Sequence, residues 1–178
     1  MGPQQGIKKN EEKMKKKEEI PYYLLILGLF IIDQLTKFLI QRNLPLLGRL
    51  KVIPGFFSLT HIHNRGAIFG FFAQSSNSVI QIGLAAASFL ALGFVVYYFV
   101  RTPASERILK IALTLILAGA LGNLTDRLLR GYVVDFLDFY VGRWHWPNFN
   151  LADSCISIGA IILIFTFFIS EKSEKEPD

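Results

Sequence analysis

The 178-residue sequence contains a single cysteine and few charges. Because Cys155 stands alone, an intramolecular disulfide and a cysteine-based zinc site are both excluded. Charged residues make up 19% of the chain, whereas soluble domains typically carry about a quarter. The G-x-S-x-G and H-E-x-x-H motifs of serine hydrolases and zinc peptidases are also missing. These absences argue against a soluble domain and against the commonest hydrolytic chemistries.

What the chain does contain is apolar sequence, with 52% hydrophobic residues and a mean hydropathy of +0.39. Four stretches are each long enough to cross a bilayer, at residues 22–40, 78–100, 108–129 and 151–169. Long connections occupy residues 41–77 and 130–150. We therefore predict an all-α integral membrane protein, in which residues 20–170 form a four-helix transmembrane bundle.

The two ends of the chain are charged. Residues 1–19 are rich in Lys and Glu and predict a disordered cytoplasmic tail, and residues 171–178 predict a short cytoplasmic C-terminal tail. Since four spans place both termini on one side, the bias of Lys and Arg toward the tails favours cytoplasmic termini. The formal charge of +5 is then a topology signal or a headgroup contact, and nucleic acid is not expected as a partner.

The connection over residues 41–77 carries a strand signal. Residues 51–63 are rich in β-branched and aromatic side chains and include the turn pair Pro54-Gly55, which predicts a short hairpin. His61 and His63 alternate on this segment and should share one face. We expect them to be hydrogen-bonded or surface histidines in preference to metal ligands.

Charged side chains near or within the spans are costly in lipid and are therefore functional candidates. They are Asp33, Lys37, Asp126, Arg127, Asp135, Asp138 and Asp153. With both termini cytoplasmic, most of them lie at one depth, near the outer membrane surface. The i, i+4 pair of Asp33 and Lys37 has two open interpretations, namely a local ion pair with Lys37 snorkelling to the interface, or a role beside the substrate.

The remaining acids also have structural alternatives. The guanidinium of Arg127 would keep Asp126 ionised, which suits an anchor or substrate clamp better than a proton donor. Asn150 is placed to cap the last helix, and Asp153 in its first turn could be simply a helix-start carboxylate. Two such acids at one depth could instead share a proton and activate water for peptide hydrolysis, with no metal or cofactor. Composition and spacing do not distinguish Asp135 from Asp126 in that role.

Five motifs together resemble those of lipoprotein signal peptidases (signal peptidase II). In chain order they are Asp33-Gln34-Leu35-Thr36-Lys37, Asn64-Arg65-Gly66-Ala67-Ile68-Phe69, Gly122-Asn123-Leu124-Thr125-Asp126-Arg127, Val133-Val134-Asp135-Phe136 and Phe149-Asn150-Leu151-Ala152-Asp153. One such motif would be a weak signal, whereas five in the family's order are specific. Ile68 stands where the family often has a small residue.

The resemblance implies an aspartic endopeptidase whose catalytic residues are Asp135 and Asp153. It implies substrate-binding or site-supporting roles for Asn64, Gly66, Asn123, Asp126, Arg127, Asn150, Asp33 and Lys37. It also implies a small extracytoplasmic β-cradle, which residues 41–77 would supply, and a mobile loop over the site. The partners implied are diacylglyceryl-modified prolipoproteins and membrane lipids, and the protein is expected to be a monomer in the bacterial cytoplasmic membrane.

Two other functional classes remain open at this stage. Acids inside a membrane also line ion paths, so a small transporter or proton relay is one alternative, although no internal repeat is apparent. A non-enzymatic scaffold for lipid-modified proteins is the other. An Asp135→Asn variant separates this scaffold from a peptidase, because only a peptidase needs the carboxylate for turnover.

Overall fold

The computed structural model describes residues 3–66 and 78–174, which form a helical bundle carrying one antiparallel sheet. The helices are α1 (Pro3–Asn43), α2 (Ser78–Arg101), α3 (Arg107–Arg130) and α4 (Leu151–Glu174). The strands are β1 (Arg49–Ile53), β2 (Phe57–Asn64), β3 (Val133–Val141) and β4 (Trp144–His145). The mostly helical architecture with a small sheet is as predicted.

Within residues 3–66 and 78–174, three helices are long and apolar enough to cross a membrane. Their spanning segments are Lys16–Asn43, Arg107–Arg130 and Leu151–Phe168. In α2, the apolar segment found among the described residues is shorter, at Ala86–Arg101. Three of the four predicted spans therefore coincide with such helices, and the count of four stays a prediction.

The third helix, α3, lies at the centre of the bundle and packs against α1, α2 and α4. It is 56% buried over its most apolar window, compared with 11% for α1 and 17% for α4. Glycines let α3 and α4 approach closely: a Cβ on Gly119 would lie 2.3 Å from the Ala152 carbonyl oxygen, and one on Gly159 would lie 2.7 Å from that of Ala112. Small residues of this kind allow helix backbones to pack tightly in membranes.

The outward faces of the helices are apolar. Leu24 on α1 is 63% exposed, Leu90 on α2 is 77% exposed and Phe167 on α4 is 70% exposed. Large apolar side chains exposed in such number would be unfavourable in water, and they form a continuous surface suited to lipid tails.

The predicted hairpin is present as β1 and β2, but the sheet is larger than expected. Its order is β1-β2-β3-β4, and every neighbouring pair is antiparallel. The prediction assigned the cradle to residues 41–77 alone, whereas two strands come from the connection at residues 130–150. In this register Ile62 is opposite Asp135 and Asn64 is opposite Val133. The pairing therefore joins the N-x-G-A-x-F and V-V-D-F segments.

The start of β3 is set by the end of α3. Gly131 caps α3 in the left-handed conformation at φ 75°, and its N–H donates to the Arg127 carbonyl at 3.1 Å. Glycine adopts this conformation without the steric cost that a Cβ brings. The chain then turns directly into β3, which holds Asp135 immediately beyond the helix end.

The N-terminal region differs from the prediction. Residues 1–19 were expected to be disordered, yet α1 begins at Pro3 and continues without a break into the spanning segment, with Pro21 inside the helix. Lys, Glu and Met are good helix formers, and a helix already nucleated by the apolar segment can extend through them. Ala67, Ile68 and Phe69 of the second motif lie outside the described residues, as do residues 175–178 of the predicted C-terminal tail.

Candidate active site

Asp135 is a buried acid held by two amides. The residue is only 2% exposed. Its carboxylate accepts a hydrogen bond from Asn64 Nδ2 at Oδ2 and another from Asn150 Nδ2 at Oδ1, each at 2.8 Å. Burial, followed by the negative charge of Asp153, raises the pKa of Asp135 to about 7, and the two amide hydrogen bonds act in the opposite direction. This carboxyl group can therefore exchange a proton near neutral pH.

Asp153 lies in the first turn of α4 and is also held by amides. Asn123 Nδ2 donates to Asp153 Oδ1 at 2.6 Å, and the Asn150 backbone N–H donates to Oδ2 at 3.3 Å. In return, Asn150 Oδ1 accepts the Asp153 backbone N–H at 2.9 Å. This reciprocal pattern is a capping box, so the predicted N-cap role of Asn150 is confirmed.

Asn150 also joins the two acids to each other. Its side-chain amide donates to Asp135, while its backbone N–H donates to Asp153. The amide nitrogen of Asn150 further lies 3.2 Å from Asn123 Oδ1. Residues from β3, α3 and the start of α4 therefore converge on one asparagine, and the charge of Asp153 acts directly on Asp135.

Lys37 is fully buried and satisfies a cluster of acceptors. Its ammonium Nζ lies 2.8 Å from Asp33 Oδ2, 3.0 Å from Asp126 Oδ2 and 3.1 Å from Asn123 Oδ1. The i, i+4 ion pair with Asp33 is present as predicted, but the interpretation that Lys37 snorkels to the interface is wrong, since the residue is 0% exposed. A lone buried charge is strongly unfavourable, and three acceptors around one ammonium compensate it.

Asp33 connects the first helix to the last. While Oδ2 faces Lys37, Oδ1 accepts the backbone N–H of Ala152 at 2.9 Å, which satisfies a free donor at the start of α4. The close approach requires glycine at position 122, because a Cβ there would lie 2.6 Å from Asp33 Oδ2.

The partners of Asp126 differ from the one that the sequence suggested. Its carboxylate pairs with Arg130 and Lys37, and it accepts the Val134 backbone N–H at 3.3 Å. The adjacent Arg127 instead donates to the Gly66 carbonyl oxygen at 3.4 Å. Arg130 is one helical turn beyond Asp126, and this i, i+4 spacing was the available signal.

Gln34 was also missed by the sequence reasoning. Its Nε2 lies 3.1 Å from Asp126 Oδ1 and 3.2 Å from the Gly122 carbonyl oxygen, and its Oε1 accepts from Arg130 at 3.2 Å. The only signal in the sequence was its place beside Asp33 in the first motif. Gln34 therefore ties α1 to the C-terminal half of α3.

A cavity of about 340 Å³ opens beside these residues. The lining consists of Asn64, Asn123, Arg127, Val133, Trp146, Asn148, Phe149, Asp153, Ser154, Ser157 and Ile158. Four predicted site residues are among them, and Asn123 connects this lining to Lys37, which is not part of it. The lining thus combines polar groups with apolar and aromatic side chains, as is typical of binding sites for amphipathic ligands.

Comparison with known proteins assigns this arrangement to a family. The family model described as Signal peptidase (SPase) II matches residues 25–169, which include every motif, two of the spanning segments and most of the third, Lys16–Asn43. The chain belongs to the signal peptidase II family. Membership of this family makes it a membrane peptidase.

Individual relatives of the signal peptidase II family agree with this assignment. The chain is 40% identical over 160 residues to the lipoprotein signal peptidase of Syntrophus aciditrophicus (strain SB), covering 89% of this chain and 99% of the relative. It is 44% identical over 149 residues to that of Burkholderia mallei (strain SAVP1), covering 82% and 86% respectively.

Two solved structures, both described as bacterial membrane enzymes, share this signal peptidase II fold. One has a TM-score of 0.77 at 31% identity, covering 89% of this chain and 93% of the other. The second has a TM-score of 0.71 at 32% identity, covering 83% and 92%.

Proposed function

We propose that this protein is an intramembrane aspartic endopeptidase that removes the signal peptide from bacterial prolipoproteins. Cleavage would occur immediately before the diacylglyceryl-modified cysteine. The observation that carries the proposal is the contact of Asn150 with both acids, at 2.8 Å to Asp135 and 3.3 Å to Asp153. Two carboxyl groups held on one residue are suited to share a proton.

The chemistry follows from a singly protonated pair. The ionised carboxylate takes a proton from water as the water oxygen attacks the scissile carbonyl, while the protonated carboxyl donates its hydrogen bond to the carbonyl oxygen. Collapse of the tetrahedral intermediate breaks the C–N bond, and one of the carboxyl groups delivers a proton to the leaving amine. Asp135 and Asp153 titrate as a pair, so the one proton belongs to both.

The surrounding amides support this chemistry by fixing the two carboxylates. Asn64 and Asn150 donate to Asp135, and Asn123 donates to Asp153. Since Lys37 occupies the oxygen of the Asn123 amide, the nitrogen is directed toward Asp153. Arg127, which lines the same cavity, is available to bind a carbonyl group of the substrate.

The cavity walls support a lipidated substrate. Val133, Phe149 and Ile158 contribute apolar surface, and Ser157 and Ile158 lie on the exposed face of α4. A substrate could therefore enter from the lipid while its acyl chains remain in the bilayer. Burial of each CH₂ group is worth about 0.8 kcal/mol, so two acyl chains would hold the substrate at the membrane.

The same proposal includes a topology. We infer four spans, with α2 as the remaining one, both termini in the cytoplasm of a bacterium and the two acids near the extracytoplasmic face. The basic residues of the N-terminal tail, and Arg101 and Arg107 on either side of the loop between α2 and α3, support this orientation. We further propose that the protein acts as a monomer, since Asn64, Asn123 and Asn150 of the same chain already supply hydrogen-bond donors to both acids.

Peptidase activity of the purified protein in detergent, on a diacylglyceryl-modified precursor, tests the proposal. Asp135→Asn and Asp153→Asn should each lower turnover at least about a hundredfold. Asp138→Asn is the matched control, since Asp138 lies on the same strand but pairs with Arg49 and His145. Unchanged turnover in either dyad variant would exclude the aspartic mechanism, and equal cleavage of the unmodified precursor would exclude selection of the lipid.

A further inference from the structure

Two histidines that the proposed chemistry does not use face each other on β2. His61 and His63 are two positions apart and so lie on the same side of the strand, and their Nε2 atoms are 3.1 Å apart. Their ring centroids are 4.9 Å apart in an edge-to-face arrangement. The pair is thus a preformed arrangement of two imidazole nitrogens that point at each other.

Each imidazole ring is held in place on its other side. His61 Nδ1 lies 2.9 Å from the Leu44 carbonyl oxygen, which can only accept, so Nδ1 carries the hydrogen and Nε2 of the neutral ring keeps its lone pair. The ring of His63 stacks on Tyr132, with 3.6 Å between centroids and 18° between planes. Metal-binding histidines commonly show this arrangement, in which the second ring nitrogen donates to a carbonyl group.

The separation of the two nitrogen atoms fits two ligands of one ion. Imidazole nitrogens bind Zn²⁺ at about 2.0–2.1 Å, so ligand pairs in square or tetrahedral arrangement lie roughly 2.9–3.4 Å apart. Imidazole is a good ligand for Zn²⁺, Cu²⁺ and Ni²⁺. We propose that His61 and His63 form a binding site for a divalent transition-metal cation of the Zn²⁺ class, separate from Asp135 and Asp153.

Each ring can bind the ion through its Nε2 atom as a neutral imidazole. For His61, the hydrogen is already on Nδ1, which donates to the Leu44 carbonyl oxygen. On binding, His63 exchanges its Nε2 hydrogen for one on Nδ1 and so stays neutral, and the ion lies to one side of the line that joins the two Nε2 atoms. Among the described residues no group of three or more His, Cys, Asp or Glu is arranged for a metal, so water would complete the coordination shell.

Access and position both suit a peripheral site. His61 is 6% exposed, whereas His63 is partly exposed and gives the ion a route of entry. The bound ion would join His63, which immediately precedes Asn64, to His61. His61 in turn contacts Leu44, just beyond the end of α1. Arg65 is exposed near the pair, and its positive charge weakens the binding of the metal cation.

Calorimetric titration of Zn²⁺ into the full-length protein, carrying no polyhistidine tag and held in detergent, tests the proposal. We expect one saturable site that raises the thermal unfolding temperature. His61→Gln and His63→Gln should each weaken binding at least about tenfold. His145→Gln is the matched control and should bind as the wild type does, because Nδ1 of His145 contacts Asp138 at 2.8 Å. Unaltered affinity in both of the first two variants would overturn the proposal, as would the absence of saturable binding at concentrations on the order of 1 mM.

A second measurement does not depend on whether those variants fold. In the wild type, affinity should fall as the pH is lowered from about 7 to about 5, because protons compete for the imidazole nitrogens. Arg65→Gln should tighten binding, since it removes a nearby positive charge. A pH-independent affinity, or weaker binding by Arg65→Gln, would contradict a site built from this pair. These readouts measure binding alone, so they succeed or fail independently of the peptidase assay.

Discussion

Asn150 and Asp153 cap the same helix end in both directions. Asn150 Oδ1 accepts the Asp153 N–H at 2.9 Å, and Asp153 Oδ2 accepts the Asn150 N–H at 3.3 Å. A proposed catalytic carboxylate is therefore also half of a capping box, and the geometry that starts α4 orients the acid. The Asp153 side chain thus has a proposed catalytic role and a role in helix stability, and two substitutions can distinguish these roles.

Asp153→Asn should abolish turnover yet keep the cap, because its amide oxygen can still accept the Asn150 N–H. Asp153→Ala should lose both, with a further cost of about 1 kcal/mol in stability. Thermal unfolding in detergent, measured beside peptidase activity, distinguishes the two variants. Equal stabilities for Asn and Ala at this position would show that the carboxylate contributes nothing to the helix start.

Lys37→Met should destabilise the protein by about 3–5 kcal/mol, because it leaves Asp33 and Asp126 buried without their shared cation. It should also lower turnover by freeing the Asn123 amide to rotate. Lys51→Met, on the exposed strand β1, is the control and should change stability by less than about 0.5 kcal/mol. Similar unfolding temperatures for both variants would contradict the role assigned to Lys37.

The pH dependence of kcat/KM should follow the proton shared by the dyad. Because the pKa of Asp135 is raised to about 7, activity should fall as the pH rises through that value and the pair loses its last proton. The Asn64 hydrogen bond lowers this pKa, so Asn64→Ala should move the alkaline limb to higher pH, in addition to reducing the rate. A limb that stays in place or moves to lower pH would be inconsistent with this assignment.

Asp135 should cost the folded state stability at neutral pH. Its pKa is raised from 3.8 in the unfolded chain to about 7, so the folded protein binds more protons between these values and its stability falls as pH rises across that window. Asp135→Asn keeps the shape and removes the titration. It should therefore unfold at a higher temperature than the wild type at pH above 7, with a smaller difference near pH 4, as scanning calorimetry can measure. A less stable variant at alkaline pH would be evidence against the burial penalty.

Gly119→Ala should separate α3 from α4, since the added Cβ would lie 2.3 Å from the Ala152 carbonyl oxygen. Overpacking of this kind typically costs about 1–3 kcal/mol. Activity should fall as well, because Ala152 immediately precedes Asp153. In Gly93→Ala the Cβ meets no atom within 4 Å, so this α2 variant should retain both stability and activity. Parallel measurements of unfolding temperature and turnover test the contrast.

The helices and the family were readable from the sequence because their signals are local. Apolar runs of fixed length located the spanning segments, and the order of five short motifs identified the family. The Asn150 cap was likewise predictable, since it depends only on residues within one helical turn of one another. Each of these inferences needed no knowledge of which distant segments meet.

The features that were missed depend on distant segments or on burial. β3 carries buried residues on both faces from Val133 to Phe136, so it shows no alternating pattern, and its pairing with β2 joins residues about seventy positions apart. The burial of Lys37 could not be predicted either. It depends on Asp126 and Asn123 of α3 approaching the ammonium group, and the sequence does not show that α1 and α3 meet there. The N-terminal helix was missed since composition alone does not report a neighbouring helix from which it extends.

The contact between Asp33 and the Ala152 N–H has a consequence for biosynthesis. These groups are 119 positions apart, and Asp33 lies on α1, which leaves the ribosome before α3 and α4. Lys37 lacks its partners Asp126 and Asn123 until α3 has been inserted, and Asp33 lacks the Ala152 N–H until α4 has followed. A chain interrupted before α4 would contain Asp135 but lack Asp153. The proposed pair of acids therefore forms only after α4 has been synthesised.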